Sequence, residues 1–152
     1  AAGMPAPAAQ VLVYPVCDLV EHSASYYAFS EGLLLTEEEM VWFKERFTPD
    51  PLTREEASPL FAPDLAGLPP ALVLTAGFDP LRDEGEAYAA RLADAGVTVQ
   101  LRRYPGQVHG FLNMLGVGTV AHEAIGEIAG TLRLWLGGVG TATGVPEQLT
   151  AR

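Results

Sequence analysis

An aspartate and a histidine thirty positions apart carry the most legible chemistry in this sequence. Asp79 opens the run Asp79-Pro80-Leu81-Arg82-Asp83-Glu84-Gly85, and His109 precedes Gly110-Phe111. An imidazole that titrates near neutrality can take a proton from a hydroxyl. A carboxylate held against its other nitrogen fixes the tautomer and stabilises the imidazolium that forms, which are the acid and base roles of a serine-hydrolase triad. Each residue follows an apolar segment of strand character, Ala71 to Thr75 and Val97 to Leu101. The carboxyl ends of strands are where an open α/β sheet gathers its reactive side chains. Taken singly, Asp79 before a proline is a turn former, and His109 is a turn histidine with a structural hydrogen bond; together they point to catalysis.

Other titratable and nucleophilic groups fit bland roles better. Asp83 and Glu84 fall at the start of a predicted helix, where capping and the helix dipole account for them. His22, His109 and His122 share no metal-ligand spacing, so neither a metal site nor a cofactor is expected. Cys17 is the single cysteine, which excludes an internal disulfide, and its place after Val16 predicts a small buried hydrophobe. Ser23, Ser25, Ser30 and Ser58 lack the small flanking residues of a strained nucleophile elbow, and none leads from a strand into a helix.

The elements that must position Asp79 and His109 follow from patterning. Val11 to Val16 reads as a strand buried on both faces. Thr36-Glu37-Glu38-Glu39 is a capping box that predicts a helix to about Phe47, with Met40, Phe43 and Phe47 on one face. Leu68 to Thr75 is a second strand, Ala76 to Asp79 a tight turn that Gly77 suits. A helix then runs to about Ala95, stopped by Gly96 in the left-handed conformation. Val97 to Leu101 alternates as an edge-like third strand, and Val120 to Leu136 is a helix with Ala121, Ile125, Ile128, Leu132 and Trp135 on one stripe. Strand, helix, strand at this spacing makes a parallel unit.

The chain has 152 residues, 49% of them hydrophobic, with nineteen carboxylates against nine Lys and Arg. That acidity argues against nucleic acid or an anionic membrane surface as partner. No apolar run reaches membrane-spanning length, and no signal peptide is visible in a start without basic residues; a cytoplasmic setting is expected.

The residues Gln10 to Val16, Thr36 to Phe43, Ala57-Ser-Pro-Leu60, Leu68-Pro-Pro-Ala-Leu72, DPLRDEG and HGF together resemble the C-terminal half of the hormone-sensitive-lipase-like carboxylesterases, from about Pro5 to Leu136. The resemblance implies an α/β fold, namely the C-terminal part of an α/β-hydrolase core of about three parallel strands with flanking helices, plus a helical cap segment. It divides the chain into core over 1–17 and 64–136, cap over 18–63, and a flexible tail over 137–152. It implies Asp79 as triad acid and His109 as general base, with the family's HGGG oxyanion loop and GDSAGG-type elbow upstream of Ala1.

The function this implies is hydrolysis of small acyl esters, short to medium in chain, by a Ser-His-Asp mechanism of which these residues hold only Asp79 and His109. The chain alone is then expected to be inactive. Its partner is expected to be the missing N-terminal half, or a second copy bound through the exposed edge of the first strand. Two alternatives stay open: a non-catalytic oligomerisation or complementation fragment, and a hydrolase of amides or peptides.

Overall fold

A computed structural model of the chain describes residues 5–137. Three parallel strands form one sheet in the order β1-β2-β3, with β1 spanning Gln10–Val13, β2 Ala71–Phe78 and β3 Val99–Val108. Residues Ala71 to Ala76 of β2 are completely buried, as a continuous apolar run in the middle of a parallel sheet should be. Alternation divides them between two cores. Ala71 and Val73 face Tyr88, Ala89 and Leu92 of α4 (Arg82–Asp94), together with Cys17 and Val97. Leu72, Leu74 and Ala76 face Tyr104, Phe111 and Ala124, the last from α5 (Val120–Leu136). Each large apolar side chain so enclosed contributes about 1.5–3 kcal/mol.

Several boundaries differ from the patterning, each for a local reason. β2 begins at Ala71 instead of Leu68, because Pro69 and Pro70 have no N–H to give to the ladder. β1 stops at Val13, since Tyr14 takes a φ of 39°. Its four residues are half-buried where burial on both faces was expected, because β2 is its only neighbour in the described sheet. β3 runs ten residues, well past Leu101, and bends through Pro105-Gly106, where the register shifts opposite Ala76 to Phe78. Gly77 therefore lies inside β2, beside this irregularity. A Cβ there would meet the Pro105 carbonyl oxygen at 2.0 Å, so close backbone approach, and not the expected turn, requires the glycine.

Between β1 and β2 lie α1 (Ala24–Phe29), α2 (Glu37–Phe47) and α3 (Arg54–Ala57), joined by short turns. The capping box forms as the sequence predicts: the Glu39 N–H donates to the Thr36 hydroxyl, and the Thr36 N–H donates to the Glu39 carboxylate. Gly96 ends the α4 region at a φ of 83°. In α5 the buried positions are Ala121, Ala124 and Thr131, with Ile128 and Trp135 packed at the rim. Ile125 is 42% exposed, so the inward stripe is rotated from the predicted one; the small Ala124 lets the helix approach the sheet closely. The tail expected over 137–152 lies, beyond Gly137, outside the described residues. Among the described residues no helix is long and apolar enough to cross a membrane.

Candidate active site

β2 and β3 deliver Asp79 and His109 from adjacent strand ends, and the bend in β3 is what turns His109 back over the end of β2. The His109 Nδ1 lies 2.9 Å from the Asp79 Oδ2. Asp79 is completely buried, whereas the His109 side chain keeps 22% of its surface exposed. The other Asp79 oxygen accepts the Leu81 N–H at 2.8 Å, which locks the carboxylate plane. In the tautomer whose Nδ1–H donates to this carboxylate, the Nε2 lone pair is left free. Gly110 follows at a φ of 75° with the Leu34 side chain close against it, and Phe111, 1% exposed, pins the turn into the core. A side chain at position 110 would be strained there.

One wall of the site is backbone under strain. Tyr14 is a non-glycine residue at positive φ and precedes Pro15, a combination that costs roughly 1–2 kcal/mol and that proline opposes further. Its N–H donates to the Leu74 carbonyl at 2.7 Å, and its ring packs on the His109 imidazole with centroids 4.5 Å apart. Burial, aided by the Asp79 charge, pushes its phenol upward in pKa. The sequence placed Tyr14 inside the strand expected over Val11 to Val16, and nothing in its pattern marked it as part of the site.

His109 and Tyr14 open onto a cavity of about 650 Å³ lined by Val16, Leu19, Tyr26, Leu35, Met40, Phe43 and Phe47 among others. The face of α2 that the sequence singled out thus forms a wall of this space, with Phe47 still 73% exposed. Binding sites for small ligands are commonly of this size and apolar character. His22 also lines the cavity and stacks on Tyr26 at 3.8 Å, away from any triad geometry. His122 is exposed on α5.

The carboxylates of the Asp79 run divide the labour. Asp83 accepts the Ser25 N–H at 2.8 Å while its own N–H donates to the Ser25 hydroxyl at 3.1 Å, which fastens α1 to the start of α4. Burial opposes the Asp83 charge, but hydrogen bonds from Arg82 and Ser25 outweigh it and hold the pKa below the ordinary value. Glu84, 5% exposed, accepts the N–H groups of Cys17 at 2.7 Å and Asp18 at 3.1 Å. The sequence assigned both to helix capping; the structure makes them long-range ties to the segment after β1. Burial pushes the Glu84 carboxyl up to about 7, reinforced by the charges of Asp18 and Asp79 and opposed by the two amides. Cys17 is 1% exposed, and burial raises its thiol to about 12, so it is a packed hydrophobe without nucleophilic character.

The Glu84 geometry has a pH consequence. A folded-state pKa above the ordinary 4.5 gives a contribution to stability that is complete below that value and is lost as pH rises through about 7. Within that window the loss amounts to roughly 1.4 kcal/mol per pH unit. In the full-length protein, denaturant titrations between about pH 5 and pH 8 should show stability declining in the wild type and less so in Glu84→Gln. Parallel pH curves would refute this account of Glu84.

Among the described residues, no serine joins the pair. The Ser25 hydroxyl donates to the Pro80 carbonyl, and the Ser58 hydroxyl donates to the Arg54 carbonyl while accepting the Leu19 N–H. Ser23 and Ser30 cap the two ends of α1.

A parallel sheet with helices on both faces, and a buried Asp79 paired with a partly exposed His109 at its strand ends, is the arrangement expected of an α/β hydrolase. Residues 1–113 match the alpha/beta hydrolase fold family, and the chain belongs to it. Among curated proteins it is 41% identical over 137 residues to LipN, a carboxylic ester hydrolase of Mycobacterium tuberculosis, covering 88% of this chain and 36% of that protein. It is 39% identical to the ethyl acetate hydrolase of Pseudomonas putida, covering 78% of this chain and 37% of the relative. Among solved structures, a thermostable esterase from Pseudomonas putida superposes with a TM-score of 0.82 at 46% identity, over 89% of this chain and 44% of that one. These esterases agree with the hormone-sensitive-lipase-like branch that the sequence resembles. The chain spans less than half the length of each of them.

Proposed function

We propose that the full-length protein containing this chain hydrolyses short to medium acyl esters, with Asp79 as triad acid and His109 as general base. The single observation that carries the reading is the buried Asp79 carboxylate 2.9 Å from the His109 Nδ1, at the edge of an apolar cavity. In this mechanism His109 Nε2 takes the proton of a serine hydroxyl as that oxygen bonds to the ester carbonyl carbon. The tetrahedral intermediate collapses with loss of the alcohol, which receives the proton from His109; a water then repeats the sequence and frees the acid. The serine and the oxyanion donors come from residues N-terminal to Ala1, a reading supported by the relatives' extra length.

Segment 18–63 acts as the cap over the acyl group, its Met40 and Phe43 lining the cavity. The outer edge of β1, whose only strand partner in the described sheet is β2, receives a strand from that N-terminal half. The single thiol, free and buried, fits a cytoplasmic location. The decisive experiment is a panel of acyl esters, amides and peptides offered to the full-length protein. Ester turnover at short to medium chain length, with amides and peptides inert, is the expected result. Cleavage confined to amides or peptides replaces the reading with its rival, and no turnover at all leaves the chain as a complementation module.

A further inference from the structure

Asp79 fixes the His109 imidazole at one point only. A single hydrogen bond at Nδ1 limits tilt of the ring by rotation about Cβ–Cγ only loosely, because that torsion has broad preferences and a hydrogen bond tolerates some misalignment. Proton transfer at the far nitrogen needs that tilt defined, because misplacement of about 1 Å can cost a hundredfold in rate. A group packed beside the imidazole narrows that range, and the Tyr14 ring lies there with centroids 4.5 Å apart at an interplanar angle of 56°. Tyr14 is itself buttressed by Phe111, 6.0 Å away edge-on, and Phe111 by Tyr104 at 5.0 Å. The stack therefore joins the end of β1 to both sides of the turn that carries His109.

The backbone supports the same conclusion. Strained residues persist where the surrounding structure over-determines them, and Tyr14 holds a φ of 39° just before a proline. A glycine would adopt that conformation without strain but would leave the imidazole without its ring neighbour. The Leu74 carbonyl secures the Tyr14 N–H, so the strand ladder itself aims the ring.

We propose that Tyr14 is a positioning residue for His109, its ring setting the plane of the imidazole so that Nε2 meets the reacting hydroxyl. The proposal rests on the reading of His109 as general base. Because the contact is made by the two rings, tilted at 56° to each other, the phenol oxygen is dispensable and the flat ring is not.

The test uses the full-length protein and the variants Tyr14→Phe, Tyr14→Leu and Tyr14→Ala, with kcat and KM measured on p-nitrophenyl butyrate. The downfield proton resonance of the His109 Nδ1–H bonded to Asp79 is recorded in parallel. Tyr14→Phe should stay within about threefold of wild type, whereas Tyr14→Leu and Tyr14→Ala should lose about ten- to a hundredfold in kcat with KM little changed. The resonance should persist in Tyr14→Phe and broaden or vanish in the other two. Leucine keeps bulk at the site, so Tyr14→Leu decides the matter if Tyr14→Ala does not fold. A Tyr14→Leu protein with wild-type kcat, a rise in KM alone, or an unaltered resonance overturns the proposal. A wild-type protein without esterase activity sinks the functional reading instead, while the resonance comparison still reports on the Tyr14–His109 contact.

Discussion

His109→Ala in the full-length protein is expected to abolish ester turnover, and Asp79→Asn to leave a small residue of it. Alanine would remove the proposed general base. Asparagine keeps the acceptor for the Leu81 N–H, which the Asp79 Oδ1 now binds at 2.8 Å, so the turn should survive. Its amide group turned toward His109 would donate to Nδ1, however, and drive the ring proton onto Nε2, where the base needs a lone pair. Losses of about a thousandfold to ten-thousandfold follow from the wrong tautomer alone. Steady-state hydrolysis of p-nitrophenyl butyrate at neutral pH measures both, with circular dichroism to confirm folding. Near-native turnover in either variant removes the triad assignment.

The isolated 152-residue chain is expected to hydrolyse p-nitrophenyl esters no faster than buffer and to remain unlabelled by serine-directed phosphonates. Ser25 and Ser58 are buried and committed to backbone carbonyls, and no serine hydroxyl is hydrogen-bonded to His109 among the described residues. A base and its carboxylate without a nucleophile or oxyanion donors cannot form an acyl-enzyme. The same chain presents β1 as an edge of its three-stranded sheet and leaves Trp42, Phe43 and Phe47 about half or more exposed. Unpaired strand edges and open apolar faces promote association, so light scattering should report self-association or aggregation. Stoichiometric labelling of any serine in this chain would show that it carries its own nucleophile, and a monodisperse monomer with a cooperative thermal transition would show that its core is sufficient by itself.

The elements that rest on local chemistry were legible in the sequence. Thr36 and Glu39 lie three residues apart, and their capping box depends on nothing beyond that turn. The burial of Ala71 to Leu74 is written in an uninterrupted apolar run, and α5 begins and ends at the residues its pattern indicates. Asp79 and His109 were recognisable because both follow strands, and parallel neighbouring strands bring their carboxyl ends together.

What the sequence could not decide was set by contacts across long separations. Glu84 has the composition of a helix-start acid, yet it reaches Cys17 and Asp18 some sixty-seven residues earlier; no local pattern encodes that distance. Gly77 is fixed by the Pro105 backbone on the next strand, and Ile125 turns outward because Ala124 makes the closer contact with the sheet. Tyr14 is the plainest case. Its own propensity and its following proline both oppose the conformation it holds. Local sequence therefore determined which residues could form a triad's acid and base, while tertiary packing alone determined the 2.9 Å between them and the Tyr14 ring beside the imidazole, because strain of this kind persists only where several distant elements impose it together.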